Sequence, residues 1–540
     1  MMGADSMMAR VLRWMMSAAL ASAVGCAKVT IARGPYVQDV RENSALVVWE
    51  GEAPPGASVG FGVQSTDERS APATCEAIHC SALLSGLEPD TAYVYQVVQA
   101  DGTAAPEGTI HTAPARSRPF TFGVFGDNRT DARSHRAVVE TMRSVGAPEF
   151  LVHTGDMVES GSDEGQWNQF FAIEAELLRD VPIYPAVGNH EKTGGKAAIL
   201  ERLFHPPAAE SGSTADTYYS FEWGNSHFIA IDGQIHIDDE DACAARGKPY
   251  AGCLDAAQQR WLEADLAKAA ADPGIEHVFV FMHVGPYSSK VGRTGSETIR
   301  RLLGLFAESK VKLVISGHDH YYERGVSGNG LDYVISGGGG APLYRTDPDR
   351  TSALWPHEID VSVATHNFQI IEVRGSLIEV TSYRGDTGAV LDHFLIGEDP
   401  DCVAPVDCLG EEPGICEGSW TCPDFTCVWE CAPPPACEVA ADCPLSSGGS
   451  CPGHWECPFT GRCQWACDVV GECTVDADCD ALEPLNACEG GHYVCETALC
   501  EWRCDALPPP AGPADDAGEP DAGADASMAL PAPRRPARPC

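Results

Sequence analysis

Basic residues are scarce in this chain. Its 540 residues include 36 Lys and Arg against 78 Asp and Glu, which gives a formal net charge of −42. Proteins bind nucleic acids mainly by neutralising phosphates with Lys and Arg, so this composition argues against a nucleic-acid partner. The excess of acidic residues is most simply explained as a solubilising surface.

Long apolar runs are also lacking. No segment reaches the roughly 18 consecutive apolar residues of a transmembrane helix. The longest apolar stretch, residues 14–25, follows Arg10 and Arg13 and is typical of a signal peptide spanning residues 1–26. It ends at Cys26 in a sequence similar to a bacterial lipoprotein cleavage box, which favours a lipid anchor on Cys26. Ordinary signal-peptide cleavage and release is the alternative.

Cysteine is rare at first and then abundant. Only five of the 24 cysteines lie before residue 400. Of the other nineteen, eighteen lie within residues 399–504 and form three repeats of six, each closing on Cys-x-Trp-x-Cys at Trp429, Trp465 and Trp502, and Cys540 lies in the tail. Such short units cannot build a sufficient core, so we expect disulfides and an oxidising compartment. Zinc binding is the alternative, but histidine is nearly absent and no Cys-x-x-Cys pair occurs.

Outside the repeats, Cys75 and Cys80 are close enough to pair, and Cys243 with Cys253 is a further candidate pair. The Pro/Ala/Asp-rich tail, residues 505–540, is predicted to be disordered. The sequence leaves the pairing within each repeat open, because six cysteines can pair in fifteen ways. The repeats are candidates for binding a partner at an outer surface.

Two further segments differ in their periodicity. Residues 27–114 contain short β-branched and aromatic runs separated by turns, which predicts an all-β sandwich. In residues 115–398 apolar strands alternate with helical stretches, the pattern of an α/β domain. The sequence therefore predicts a multidomain protein: an N-terminal β-sandwich, a central α/β domain and C-terminal disulfide-rich repeats.

Polar motifs in the central segment begin where predicted strands end. Each of four carries a glycine directly before its first polar residue, and His283 follows a fifth strand. The motifs are Gly126-Asp127-Asn128-Arg129, Gly155-Asp156, Gly188-Asn189-His190-Glu191 and Gly317-His318-Asp319-His320. Strand ends of one sheet edge gather ligand sites, and glycine lets the backbone approach a ligand closely. Carboxylates, an amide and imidazoles together suit divalent or trivalent cations.

Single motifs of this kind are more often turns or helix caps, but their fixed order is specific. This order resembles that of the calcineurin-like metallophosphoesterases, in particular the purple acid phosphatase-like branch. Supporting segments extend the resemblance over nearly all of residues 118–395, among them Tyr218-Tyr219-Ser220-Phe221 and His320-Tyr321-Tyr322-Glu323-Arg324. Residues 27–114 in turn resemble the fibronectin type III-like N-terminal domain of purple acid phosphatases. The family fold implied for the centre is two β-sheets flanked by helices.

The resemblance implies a dinuclear metal centre of Fe, Zn or Mn. Asp156 would bridge the two ions, Asp127 and His320 would hold the first, and Asn189, His283 and His318 would hold the second. A metal-bound hydroxide would then attack phosphorus, and His190 would assist the leaving oxygen. His318 and His320, two residues apart, are expected to face one way on extended backbone.

The sequence departs from the family at the third ligand of the first metal, where it has Arg129 and Glu159. Glu159 or Asn128 is a candidate oxygen ligand. Three arginines are candidates for contacts to the substrate phosphate, namely Arg129, Arg293 and Arg324. The alternative is a role at the surface or in supporting the residues of the site.

The sequence thus predicts an exported phosphomonoesterase, secreted or held as an outer-membrane lipoprotein. A phosphodiesterase of the same family is the nearest alternative. A third possibility is a catalytically impaired binding module at the cell surface, in which the Cys-rich repeats carry the function.

Overall fold

The structure, a computed structural model, describes residues 31–398 except 52–55, 117, 147, 236–251 and 350–355, and it describes short segments between 402 and 504. The predicted signal peptide with Cys26, the partner cysteine Cys243 and the tail 505–540 lie outside the described residues. None of the described helices is both long and apolar enough to cross a membrane.

The N-terminal region contains eight strands in two four-stranded antiparallel sheets. The strands are β1 (Ile31–Gln38), β2 (Ser44–Gly51), β3 (Ser58–Gly62), β4 (Arg69–Pro72), β5 (Thr74–Glu76), β6 (His79–Ser85), β7 (Ala92–Val98) and β8 (Gly108–His111). Their orders are β1-β2-β6-β5 and β4-β3-β7-β8. In β7 every second residue is buried, as a half-buried strand requires. The predicted β-rich region is confirmed, as is the Cys75–Cys80 disulfide between β5 and β6. The fibronectin type III-like identity of this region stays a prediction.

Thirteen strands form the two sheets of the central region. They are β9 (Phe120–Phe125), β10 (Phe150–His153), β11 (Ile183–Pro185), β12 (Tyr219–Trp223), β13 (Ser226–Ile231), β14 (His277–Val284), β15 (Val311–Gly317), β16 (Tyr322–Ser327), β17 (Asp332–Ser336), β18 (His357–Val363), β19 (Asn367–Arg374), β20 (Leu377–Arg384) and β21 (Val390–Ile396). One sheet has the order β11-β10-β9-β19-β20-β21 and the other β12-β13-β14-β15-β17-β16-β18. Strands β9 to β11 run parallel to one another, as do β13, β14, β15 and β17.

The two sheets pack face to face through an aromatic layer. Phe122 of the first sheet contacts Phe228 and Phe279 of the second edge to face, with ring centroids 5.1 and 5.2 Å apart. Phe150 packs against Phe228 in the same way at 5.1 Å. These rings are fully buried. Their large apolar area and preferred edge-to-face geometry hold the sheets in a fixed relation.

Helices cover the outer faces of both sheets. They are α1 (Ala132–Val145), α2 (Glu164–Leu178), α3 (Asn189–Lys192), α4 (Ala198–Leu203), α5 (Ala256–Ala271) and α6 (Glu297–Ala307). Helices α1 and α2 share a buried cluster with the first sheet, and α5 and α6 share one with the second. Asp131 caps α1 by accepting hydrogen bonds from the N–H groups of Arg133 and Ser134. The predicted α/β architecture of two sheets flanked by helices is confirmed.

The Cys-rich segment contributes three two-stranded hairpins, and each includes one of the three repeated tryptophans. The strands are β22 (Gly418–Thr421), β23 (Val428–Cys431), β24 (Gly453–Glu456), β25 (Gln464–Cys467), β26 (Gly491–Glu496) and β27 (Leu499–Cys504). In the first repeat Cys402 pairs with Cys422 and Cys408 with Cys427. These sulfurs are therefore not zinc ligands. Cys253 is also disulfide-bonded.

By contacts, the chain divides into two compact units. One comprises Met1–Gly414 with Gly418–Glu430, and the other comprises Ile415–Glu417 with Cys431–Cys540. The N-terminal sheets and the central α/β region thus belong to one unit. Within it, the Tyr36 hydroxyl donates to the Leu203 carbonyl at 2.7 Å, and Arg33 forms a buried ion pair with Glu50 while also reaching Glu164.

His277 at the start of β14 makes stability depend on pH. Its ring is buried and hydrogen-bonds through Nε2 to the Gly375 carbonyl at 2.6 Å. Burial lowers the pKa of His277 to about 4 from an ordinary value of 6.5. Below pH 6.5 the unfolded chain therefore binds a proton that the folded chain does not take up until pH 4. The free energy of unfolding falls across this window, by about 3 kcal/mol from this ring.

We predict that His277→Gln removes much of this acid sensitivity. Urea unfolding at pH 7 measures the reference free energy of unfolding of each protein. Between pH 6.5 and 4 the variant should then lose less stability than the parent. Parallel losses in the two proteins would contradict the assignment.

Candidate metal centre

The polar motifs converge at one edge of the two sheets. Asp127 follows β9, Asp156 follows β10 and Asn189 begins α3 after β11, while His283 lies at the end of β14 and His318 directly follows β15. All five strands run parallel to a neighbour in their own sheet, so their carboxyl ends meet at one side. Face-to-face packing of the sheets then brings the two groups of motifs together.

Three residues of the cluster have left-handed backbone. The φ angles are 56° at Asp127, 58° at Asp156 and 67° at His318. Such a conformation is unfavourable for residues other than glycine and persists only where surrounding contacts impose it, often at functional sites. Here the Asp127 N–H donates to the Gly155 carbonyl at 2.9 Å, and the His318 N–H donates to Asp127 Oδ2 at 2.8 Å.

The backbone at His318 also corrects the expectation of an extended Gly-His-x-His segment. The chain turns at His318 and Asp319 instead of alternating. The two imidazoles consequently take different places: His318 lies beside His283, and His320 lies beside Asp127. Both still reach the cluster, by a bend in the loop.

One group of ligand atoms surrounds His283. Its Nε2 lies 3.0 Å from His318 Nδ1, 3.2 Å from Asn189 Oδ1 and 3.3 Å from Asp156 Oδ1. The Nδ1 atom of His283 is 2.8 Å from the Thr154 carbonyl oxygen, which can only accept, so Nδ1 carries the ring's proton in the neutral form. The lone pair of Nε2 then points at other electron-rich atoms. Such a set needs a positive charge among its members and fits a cation.

A second group contains Asp127 and His320. His320 donates through Nδ1 to the Pro342 carbonyl at 2.7 Å, which leaves the Nε2 lone pair facing Asp127 Oδ1 at 3.4 Å. Both of these atoms are buried without a hydrogen-bond partner. Unpartnered buried polar atoms are costly, and a cation bound by the two would satisfy both. The residues therefore fit a metal here as well.

Glycines make room for the carboxylates. A Cβ atom at Gly188 would collide with Asp156 Oδ1, and one at Gly317 would collide with Asp127 Oδ2. These two contacts explain why glycine precedes the polar residues in the third and fourth motifs.

The electrostatics of the cluster favour bound positive charge. Burial disfavours the charged form of His283, but the carboxylates of Asp156 and then Asp127 outweigh it and raise the pKa of His283 to about 9. Burial likewise acts to raise the pKa of Asp156, yet the neighbouring His283 outweighs it and the pKa of Asp156 is lowered. Both carboxylates are fully buried.

Glu191 is a positioning residue that sequence reasoning did not assign. Its buried carboxylate accepts hydrogen bonds from the N–H groups of Asp156 at 2.9 Å, Met157 at 2.8 Å and Gly188 at 2.8 Å. It thus ties the loop after β10 to the loop after β11. Burial and the charge of Asp156 raise the pKa of Glu191 to about 7. Its place in the Gly-Asn-His-Glu motif was the available signal.

His190 lies at the rim of the cluster. Its Nδ1 is 2.6 Å from the Glu159 carbonyl oxygen, so this nitrogen carries the proton in the neutral ring. Its Nε2 lies 3.8 Å from Asp156 Oδ2. Asn189 and His190 point in different directions, as adjacent residues are expected to do. The Asn189 Oδ1 atom lies 3.2 Å from His283 Nε2, whereas the His190 side chain lies at the rim of the cluster and is 20% exposed.

Arg129 and Glu159 form an ion pair next to Asp156. The Arg129 Nε donates to Asp156 Oδ2 at 3.2 Å, and its Nη1 contacts the Glu159 carboxylate. Glu159 also accepts from Thr130 Oγ1 at 2.9 Å, and its side chain is 48% exposed. The structure therefore does not support the prediction of Glu159 as a metal ligand. Asn128 is excluded too, because its amide binds the Met157 carbonyl and His153.

The other two arginines differ in their surroundings. Arg293 donates to the His318 carbonyl at 3.2 Å and contacts the Asp319 carboxylate, which places it at the cluster. Arg324 forms ion pairs with Asp392 at 2.6 Å and with Asp360, and lies over the ring of Phe394. The prediction of Arg324 as a substrate-binding residue is wrong in this geometry, since its guanidinium links strands β16, β18 and β21.

Comparison with known proteins matches residues 120–322 to the family described as calcineurin-like phosphoesterase. An uncharacterized protein of Mycobacterium tuberculosis is 32% identical over 297 residues, covering 49% of this chain and 55% of that protein. Purple acid phosphatase 18 of Arabidopsis thaliana is 28% identical over 251 residues, covering 45% and 52%. The chain spans about half the length of the curated relatives it matches.

Among solved structures, purple acid phosphatase PPD1 of yellow lupin seeds aligns with a TM-score of 0.55 and 18% identity, covering 68% of this chain and 74% of that one. This likeness shows the fold alone. Together the comparisons show that residues 120–322 match the calcineurin-like phosphoesterase model and that purple acid phosphatases are among the proteins to which this chain is similar. One relative from Arabidopsis thaliana, 24% identical over 292 residues, is named Fe(3+)-Zn(2+) purple acid phosphatase 12.

We predict that Glu191→Gln destabilises the protein by about 2 kcal/mol, because an amide cannot accept at both positions from three backbone N–H groups. Urea unfolding measures the loss. The matched control is Glu222→Gln, which changes an exposed carboxylate on β12 and should stay within about 0.5 kcal/mol of the parent. Equal effects of the two substitutions would contradict the role of Glu191.

Proposed function

We propose that the protein is an exported, metal-dependent phosphoester hydrolase that acts on phosphomonoesters in the manner of an acid phosphatase. The observation that carries the proposal is the largely buried cluster of Asp127, Asp156, His283, His318 and His320, in which electron-rich atoms lie close together and Asp127 Oδ1 and His320 Nε2 have no hydrogen-bond partner. Few arrangements other than a metal centre satisfy such a set.

The ligand assignment follows the two groups of atoms. Asp127 and His320 would hold one ion, Asn189, His283 and His318 would hold the other, and Asp156 would contribute to both; Fe, Zn and Mn are the candidate metals. When bound, two such ions polarise phosphoryl oxygens and bring the pKa of a water molecule toward neutrality. The carbonyls of Thr154 and Pro342 fix the ring orientations of His283 and His320.

The remaining polar residues act on the substrate. The Glu159 carbonyl holds the His190 ring through Nδ1. The Nε2 atom of His190 then faces the substrate and, when protonated, donates its proton to the leaving oxygen. Arg129 is held by its contacts to Asp156 and Glu159, and its guanidinium binds the phosphoryl oxygens of the substrate. Arg293, which donates to the His318 carbonyl, adds positive charge for the substrate beside the cluster.

Export is part of the proposal. The apolar stretch before Cys26 and the disulfides Cys75–Cys80, Cys402–Cys422 and Cys408–Cys427 support an oxidising, extracytoplasmic compartment. Cys26 would carry a lipid anchor in an outer membrane, and release as a secreted protein is the alternative.

We predict that the purified protein contains about two metal ions per chain and hydrolyses 4-nitrophenyl phosphate faster than bis(4-nitrophenyl) phosphate. Elemental analysis and turnover with Fe, Zn or Mn added after chelation measure both properties. Asp156→Asn should lose metal and reduce turnover by about a thousandfold, since it removes the bridging charge. Faster turnover of the diester would indicate the phosphodiesterase. A protein without metal or turnover would favour the binding module.

We predict that His190→Ala reduces kcat by about a hundredfold for glycerol 3-phosphate and much less for 4-nitrophenyl phosphate. The alkoxide leaving group needs a proton, whereas nitrophenolate leaves without one. The matched control His111→Ala alters an exposed histidine on β8 and should leave both rates unchanged. A uniform loss on both esters would contradict a proton-donating role.

A further inference from the structure

Two loops that pair with each other border the metal-ligand cluster. The Val291 N–H donates to the Arg345 carbonyl at 3.2 Å, and the Asp347 N–H donates to the Ser289 carbonyl at 2.7 Å, so Lys290 and Thr346 face each other as in a short antiparallel ladder. The Ser289 N–H also donates to the buried Tyr321 hydroxyl at 2.7 Å. The backbone on both sides of Lys290 is therefore fixed.

Lys290 lies over an aromatic ring that itself covers a predicted metal ligand. The Lys290 ammonium is 3.2 Å from the centroid of the Tyr344 ring. On the cluster side, Tyr344 stacks on the His320 imidazole with centroids 4.0 Å apart and planes 17° from parallel. A cation over an aromatic face is held in place by the ring's quadrupole. One ring thus separates a positioned ammonium from the metal-ligand cluster.

Arg293 lies beside the same ring and lines a cavity. Its guanidinium is 5.6 Å from the Tyr344 centroid and is oriented by the His318 carbonyl. The cavity, about 260 Å³ in volume, is lined by Arg293, His318, Asp319 and the loop glycines Gly285, Gly292 and Gly295. The glycines leave this space free of side chains, and Arg293, paired with Asp319, is the cation among its lining residues.

The local charge is opposite to that of the whole chain. In a protein with a net charge of −42, Arg293 and Arg129 lie close enough to Lys290 for their charges to act on it. Arg129 is balanced by Asp156 and Glu159, and Arg293 by Asp319, whereas no ion pair of Lys290 is found in the described part of the chain. Burial and then the nearby charge of Arg293 lower the pKa of Lys290. Crowding of cations at one place is costly unless an anion binds there.

We propose that Lys290 and Arg293 bind a second anionic group of the substrate, a carboxylate or a further phosphate, while the scissile phosphate lies at the metal-ligand cluster. This inference rests on the proposed function and narrows its substrate class to small phosphomonoesters with two negatively charged groups. Tyr344 positions the Lys290 ammonium, and the loop glycines leave space for the second group.

The test compares kcat/KM for 3-phosphoglycerate, fructose 1,6-bisphosphate and glycerol 3-phosphate, which carry a carboxylate, a second phosphate and no second anion. The parent protein should prefer the first two, and rising salt should weaken that preference. Lys290→Met should reduce the preference about tenfold, and Tyr344→Leu should reduce it in the same direction. The matched control Lys268→Met, on the exposed face of α5, should keep the parent's ratios.

3-Phosphoglycerate and fructose 1,6-bisphosphate distinguish the two kinds of second anion. A site that binds only a carboxylate raises kcat/KM above that of glycerol 3-phosphate for 3-phosphoglycerate alone. Equal ratios in the parent and Lys290→Met would overturn the inference while leaving the proposed function intact. If none of the three esters nor 4-nitrophenyl phosphate is hydrolysed by the metal-loaded protein, the proposed function fails and this inference fails with it.

Discussion

The face-to-face packing of two mixed β-sheets is the constraint on which the rest of the structure depends. Strand ends of a single sheet could bring Asp127, Asp156 and Asn189 together, and those of the other could bring His283 and His318 together. The aromatic layer of Phe122, Phe228 and their neighbours holds the two sheets together, and the hydrogen bond from the His318 N–H to Asp127 joins their edges at the cluster. An apolar contact distant from the chemistry thus sets the spacing of the polar cluster.

The cluster is stabilised by backbone groups as much as by side chains. Glu191 binds three N–H groups from two loops, and the carbonyls of Thr154 and Pro342 orient two imidazoles. These contacts sustain left-handed backbone at Asp127, Asp156 and His318, which would otherwise be unfavourable. The folded chain therefore positions the lone pairs of the candidate ligands before a cation binds. The free energy of folding offsets the cost of arranging them.

Charge is distributed unevenly over the molecule. The chain as a whole carries a net charge of −42, whereas Arg293 and Arg129 lie close enough to Lys290 for their charges to lower its pKa. Positive potential at this place acts at short range, where desolvated charges interact most strongly. Under the proposed function, this contrast would favour small, compact anionic substrates over extended polyanions, which would contact acidic residues as well.

The sequence alone determined the order of the regions and predicted that the polar motifs meet, because strand periodicity and the motifs at strand ends are local signals. The convergence of Asp127, Asp156, Asn189, His283, His318 and His320 follows from these signals, whereas the assignment of each residue to a metal is what the family resemblance implies. Only tertiary structure decided which charged residues face the site. Arg324 follows a ligand closely in sequence yet binds Asp360 and Asp392, and Glu159 binds Arg129. Lys290 and Tyr344 come from loops far apart in the chain, and no local pattern records that these loops pair, because long-range contacts depend on packing.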